Sequence, residues 1–463
     1  MNPKFTAASK ERRRFMHLGL QTLCGAGLAF GNHPMQTLAN AAEPGFTPHS
    51  DYRALVCIYL NGGIDGFSLM VPTGNAEYAE YQHSRQGLAV PHGSLLDMYP
   101  RRSDTTSLGW HPDAAPLASL FEQEQLGVVA NVGTLIEPTS QSAYEDQAVR
   151  LPTQLFSHAD QEVQWQQLQG QTTANSGWGA LAADILSSHQ SRDYLTSITL
   201  AGSNYWQSGS GQRPFGMRAS GLVQYSGMSN GSQWERPRRE GFQRLLQEQY
   251  SHLFADAYAD LQHRAGNVTA ELGAALEAQP ELSTAVPSEN ALAEKLGRVA
   301  HLIAAHEQLQ MKRQIFYVSM DGFDVHDAQN RDTPWLFAQL SQAMAFFNNA
   351  MLELGMHDKV TTFTASDFGR SLTSNGDGTD HGWGNHHLVM GGAVDGGSIT
   401  GQVPRMSVDG PDAVRNGRVI PTLAASQYAG SLLQWMGLDD ATLSQVLPDL
   451  DNFATRTLPV MRS

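Results

Sequence analysis

Four short, largely apolar runs set the tightest limit on what this chain can fold into: Ala54 to Leu60 (ALVCIYL), Leu126 to Val132 (LGVVANV), Gln314 to Met320 (QIFYVSM) and Val360 to Ala365 (VTTFTA). Each is continuous rather than alternating. That is the pattern of a strand buried on both faces, as in parallel sheets covered by helices. Between them, Asp113 to Glu124 and Ala291 to Met311 read as helices, the second because Leu292, Leu296, Val299 and Ile303 recur at helical spacing. The alternation predicts an α/β fold with a mostly parallel central sheet flanked by helices on both faces. From about residue 203 to 288 the pattern breaks into a Gly, Ser, Gln and Arg-rich stretch, then a polar amphipathic helix over Gly241 to Ala265. This interval reads as an insertion over the sheet, either a cap or plain surface decoration.

The N-terminus reads as an export signal. Lys10, Arg12, Arg13 and Arg14 precede a short apolar segment, Leu18 to Phe30, and Ala39, Asn40 and Ala41 supply small residues at cleavage spacing. The apolar segment is too short to span a membrane, so residues 1–42 are expected to be a removable signal. The pair Arg12 and Arg13, with Phe15 two places on, matches the twin-arginine type, which carries folded cargo to the periplasm or outside. The chain holds 30 Lys and Arg against 45 Asp and Glu; five and one of these fall in residues 1–42, leaving 25 against 44, a balance of −19. So acidic a chain is not expected to bind nucleic acid or an anionic membrane, both of which need clustered positive charge. Without the signal, Cys57 is alone, so no internal disulfide is expected, and its place in an apolar run marks it as a buried core residue.

Chemistry-bearing residues gather after these runs. NGGIDGFSLMVP follows the first and carries Asp65. LFSHADQEVQWQ, some 25 residues beyond the second, places Ser157 and His158 at the start of a helical pattern. A serine there is ordinarily an N-cap, but the same place sets a hydroxyl near the positive end of a helix, where it can attack or bind an anion. MDGFDVHDAQ follows the third run; Asp324 and His326 alternate along an extended segment and so point the same way, able to hold one ion together. ASDFGRSLTSNGDGTDHGWGNHH follows the fourth and offers Asp367, Arg370, Asp380, His381, His386 and His387. In open parallel sheets the carboxyl ends of strands form the ligand crevice, so the four clusters are expected to converge. Their mixed oxygen and nitrogen donors suit a divalent metal: zinc, manganese or, with fewer His, calcium. No dinucleotide fingerprint, haem motif or iron–sulfur cysteine pattern is present.

Taken in order, LNGGIDGFSLMVP, HPDAAPLASLFEQEQLGVVANVG, LFSHADQEVQWQ, FDVHDAQ, SDFGR, TDHGWGNHHLVMGGAV and PTLAASQYAGSLLQWMGL resemble the bacterial domain-of-unknown-function family 1501 across nearly all of residues 43–463. That family is similar in its core to the alkaline phosphatase and sulfatase superfamily. The resemblance implies metal ligands at Asp65, Asp324, His326, Asp367 and His381, and a nucleophile at Ser157. Phe368 stands where the superfamily places a metal-binding His, so one ion is as well supported as two. The activity implied is metal-dependent hydrolysis of a small anionic phosphate or sulfate ester. In it Ser157 or a water attacks, Arg370 steadies the charged oxygens, and His158 serves as a general acid or an orienting residue. The alternative is a non-catalytic protein that keeps the fold and binds an exported protein partner.

Overall fold

The computed structural model describes residues 51–462, apart from 104, 171–175, 189, 210, 212, 223–232 and 249–251. The expected signal segment lies outside the described residues. A nine-stranded sheet runs through the molecule. Its strands in chain order are β1 (Arg53–Leu60), β2 (Leu126–Gly133), β3 (Ser197–Thr199), β4 (Phe215–Gly216), β5 (Arg313–Met320), β6 (Val360–Ser366), β9 (Asn385–Met390), β10 (Ile399–Thr400) and β11 (Leu423–Ala424). A separate hairpin, β7 (Arg370–Ser374) with β8 (Thr379–His381), stands between β6 and β9. The spatial order is β10, β2, β9, β6, β1, β5, β3, β4, with β11 also paired to β2.

All four apolar runs are sheet strands, and β1 lies between β5 and β6, parallel to both, with Cys57 opposite Tyr317 on one side and Phe363 on the other. The sheet is mostly parallel, as the runs required. The exception is β9, which pairs antiparallel with both β2 and β6. Its sequence, NHHLVM, opens with three polar residues, so it carries no apolar-run signal, yet all six are buried.

Strand β1 shows why the runs had to be continuous. Ala54, Val56, Ile58 and Leu60 enter one core with Leu117 and Phe121 of helix α1 (Ala115–Glu122), Leu296 and Val299 of α5 (Ala291–Ala304), and Leu340 and Phe347 of α6 (Gln329–Glu353). Leu55, Cys57 and Tyr59 point the other way, into a second core with Trp165 of α2 (His158–Gln167), Leu186 of α3 (Trp178–Ser187) and Leu432 of α7 (Ala425–Met436). Successive side chains of a strand alternate between its faces, so one strand feeds both layers. Burial pushes the Cys57 thiol well above its ordinary range, in keeping with an inert core residue. Within the expected insertion, β4 extends the sheet edge beyond β3, and Leu272 and Ala275, on helix α4 (Leu253–Glu277), reach the first core. The described helices do not follow the expected span of 241–265: one covers Arg236–Gln247 and the next Leu253–Glu277.

Candidate functional site

The carboxyl ends of the three central strands, β6, β1 and β5, carry the site. Strand β1 ends in Asn61, then Gly62 and Gly63 at φ of 106° and 83°, a left-handed backbone that glycine adopts at no steric cost. Space requires glycine too: a Cβ on Gly62 would stand 2.5 Å from the Asp324 amide nitrogen, and one on Gly63 2.2 Å from the Phe368 ring. The turn after β1 is thereby pressed against the segments that follow β5 and β6.

Three of the sequence-derived candidates meet there. The Nε2 atoms of His326 and His381 are 3.0 Å apart, and the Asp324 Oδ1 lies 3.0 Å from the first and 3.4 Å from the second. Ligands about 2.0–2.1 Å from a tetrahedral zinc stand roughly 3.3 Å from one another, so these three atoms are spaced as one face of such a site. The tautomer agrees. His381 Nδ1 bonds the Phe156 carbonyl at 3.1 Å, which makes Nδ1 the donor and leaves an Nε2 lone pair for an ion. His326 turns its Nδ1 toward the Asp380 carboxylate, 3.6 Å away. Burial pulls the His381 pKa down, which keeps the ring in its neutral, ligating form. Partial burial alone would raise the Asp324 pKa, but the hydrogen bond and charge of Arg370 outweigh it and hold the carboxyl below its usual range.

Arg370 itself is fully buried and committed to the protein: Nη1 donates to Asp324 Oδ1 at 2.8 Å and to the Gly62 carbonyl at 3.1 Å, Nε to Thr379 Oγ1 at 3.2 Å, and Nη2 to the Thr379 carbonyl. It ties β1, the segment after β5 and the β7–β8 hairpin together rather than facing open space.

The two remaining carboxylates do not join the donor cluster among the described residues. Asp65 Oδ1 receives Arg85 Nη2 at 2.6 Å, and Oδ2 receives Ser68 Oγ at 2.8 Å and Gln329 Nε2 at 2.7 Å. Asp367 accepts the Tyr59 hydroxyl on one oxygen and the Gly62 N–H on the other, each at 2.6 Å, with His158 Nε2 3.5 Å from the second. Burial raises the Asp367 pKa to about 6, in spite of those hydrogen bonds and the neighbouring imidazole. Phe368 lies buried with its ring centre 4.4 Å from that of His381, and its ring offers no donor to an ion.

Ser157 and His158 begin α2 beside the cluster, since the residue before them is Phe156, whose carbonyl holds His381. The His158 and His381 ring centres are 5.8 Å apart. Ser157 occupies the N-cap position without a side-chain cap bond; its hydroxyl donates instead to the Asp160 carboxylate. Phe156 has a φ of 76°, costly for a bulky residue, and is pinned by Trp383 and by the Arg418 guanidinium 4.5 Å from its ring centre. Asp160 and Phe156 were not among the sequence candidates. Asp160, three residues past a serine, is an ordinary first-turn acid, and a backbone carbonyl leaves no trace in sequence. His386 and His387, by contrast, are sealed in β9, where burial drives both pKa values to about 3.

Because Gly63 and Phe368 share one space, Gly63→Ala is expected to destabilise the fold by about 1–3 kcal/mol and displace the ring that backs His381. Urea unfolding and zinc uptake by equilibrium dialysis check this; wild-type values in both would refute it.

Among solved structures, the chain is similar to a Bacteroides thetaiotaomicron protein described with the metabolism of multiple glycosaminoglycans (10% identity, 86% of this chain and 75% of that one, TM-score 0.36). It is also similar to the soluble domain of lipooligosaccharide phosphoethanolamine transferase A from Neisseria meningitidis (8%, 90% and 96%, 0.37) and to a sulfatase-like protein of B. thetaiotaomicron (9%, 86% and 75%, 0.30). No curated protein matches the sequence. The family model for proteins of unknown function DUF1501 matches residues 52–446, and the chain belongs to that family.

Proposed function

We propose that this chain is an exported, metal-dependent hydrolase of phosphate or sulfate esters. The observation that carries the proposal is the convergence of Asp324, His326 and His381, with the His381 tautomer set by the Phe156 carbonyl. These three residues would hold one divalent ion, which supplies Lewis acidity for the charged oxygens of the ester. Ser157 attacks the phosphorus or sulfur, its proton passing to Asp160, while the bond to the departing oxygen breaks and His158 delivers a proton to it; a water that gives its proton back to His158 then displaces the serine oxygen, which recovers its own proton from Asp160. Asp367, fastened by Tyr59 and Gly62, keeps the His158 ring turned to that task. Arg370 acts as a positioning residue that fixes Asp324.

The test is turnover of aryl phosphate and aryl sulfate esters by the mature protein supplied in turn with zinc, manganese and calcium. Ser157→Ala is expected to lower kcat at least about 10³-fold while metal content stays stoichiometric. No turnover with any pair of substrate and metal, or an unaltered rate in the variant, sinks the mechanism. The second reading, a binding protein with one structural ion, draws on Phe368 and Arg370, which fill the surroundings of the donors with a ring and an internal cation. Stoichiometric metal without turnover would favour it.

A further inference from the structure

A cleft of about 360 Å³, within the range of about 300–1,000 Å³ for small-molecule sites, is lined in part by the first turn of α6 and by none of the three metal donors. His326 stands three residues before Gln329, and Gln329, Asn330 and Thr333 form one wall of this cleft. His111 and Asp113 face it from the turn after the Leu108–Trp110 strand, and Leu88 and Val90 supply an apolar side.

His111 is the telling residue. Its side chain is 9% exposed, and its Nδ1 accepts the Asp113 amide N–H at 3.2 Å, which puts the ring proton on Nε2. No acceptor holds that N–H among the described residues, and the His111 ring lines the cleft. A donor at the wall of a cleft, held by no protein acceptor, is open to an acceptor on a ligand that displaces the solvent there. The rest of the lining narrows the ligand. No Lys or Arg borders the cleft, and burial lowers the His111 pKa, so an anion finds no counter-charge. The one carboxylate, Asp113, is half-exposed and is a poor cage for a cation but a good acceptor for a hydroxyl. Thr333 adds a hydroxyl, and Asn330 an amide whose nitrogen already donates to the Gly87 carbonyl at 2.9 Å and keeps a second N–H and the oxygen for a ligand.

We propose that this cleft binds a neutral, hydroxyl-rich ligand, a sugar ring, through the Nε2–H of His111, the Thr333 hydroxyl, the Asn330 amide and the Asp113 carboxylate. The apolar wall at Leu88 and Val90 takes the ring's C–H face. The site stands apart from the metal donors and does not depend on the hydrolase reading.

The test is saturation-transfer NMR with isothermal titration of the full mature protein against glucose, galactose, mannose, N-acetylglucosamine, maltose and cellobiose, with sodium sulfate as the anion control. At least one sugar is expected to bind with a Kd of about 1 mM or tighter, and sulfate is expected not to displace it. His111→Phe and, on the exposed rim, Asn330→Ala should each weaken binding about tenfold, the loss of one good hydrogen bond. Asn330→Ala serves where His111→Phe fails to fold. His381→Ala should leave sugar binding unchanged, which separates this site from the metal centre. No binding by any sugar, binding that survives His111→Phe and Asn330→Ala, displacement by sulfate, or loss of binding in His381→Ala would each overturn the proposal.

Discussion

Replacing His381 by Ala is expected to strip the protein of the proposed divalent ion and to lower the proposed ester hydrolysis by on the order of 10³-fold. The Nε2 of His381 stands 3.0 Å from that of His326 and 3.4 Å from Asp324 Oδ1, so its loss leaves only two protein donors. Two donors do not make a closed set for zinc or manganese. The rate effect follows from the several kcal/mol that a Lewis acid contributes, since each 1.36 kcal/mol is a factor of about ten. Metal content after dialysis, read by elemental analysis, comes first and turnover second. Asp380→Asn, which alters only the group that His326 Nδ1 faces, should weaken metal binding by about 10–100-fold rather than abolish it. Full metal occupancy in His381→Ala would overturn the assignment of the centre.

The second large effect concerns stability. Arg85 and Asp65 form an ion pair in which both side chains are essentially without solvent contact, 0% and 1% exposed. Breaking such a pair from one side strands a buried charge, and Arg85→Met is expected to cost about 3–5 kcal/mol. Two further nitrogens of Arg85 have no hydrogen-bond partner among the described residues, so the pair is not ideal, and removing both charges should be far milder. The double variant Arg85→Met with Asp65→Asn is therefore expected to recover most of the loss, keeping the contacts from Ser68 and Gln329 in part. Urea unfolding of the three proteins tests this. Arg85→Met within about 1 kcal/mol of wild type, or a double variant no better than the single, would contradict it.

Much of this could be read before the structure. The four apolar runs are sheet strands because a strand between two helical layers has no polar side to display. Strand β9 was hidden because its opening residues are polar, and part of their hydrogen bonding is met far along the chain: Asn385 bonds the Gly66 N–H and the Ile64 carbonyl, and His386 Nδ1 receives the Asn131 N–H, while Nε2 of His386 and of His387 has no partner among the described residues. In the site, Asp324 and His326 were legible through the alternation of an extended segment, and His381 arrives by the hairpin register that sets it opposite Arg370. Spacing could not separate Asp65 and Asp367 from them. What does so is Arg85 for one, and Tyr59 with the Gly62 amide for the other, and those pairings depend on how β1 and the helix Asn75–Arg85 are placed. His111 escaped notice because one unpaired N–H is a property of packing, not of composition.

The two-sided burial of β1 has one more consequence. A strand whose alternate residues belong to opposite cores cannot be peeled from one layer while the other stays intact. The same strand ends in the glycine turn that presses on Asp324 and Phe368. The backbone against which Asp324 and Phe368 rest is thus anchored in both layers at once, and loosening either core would be felt at that turn.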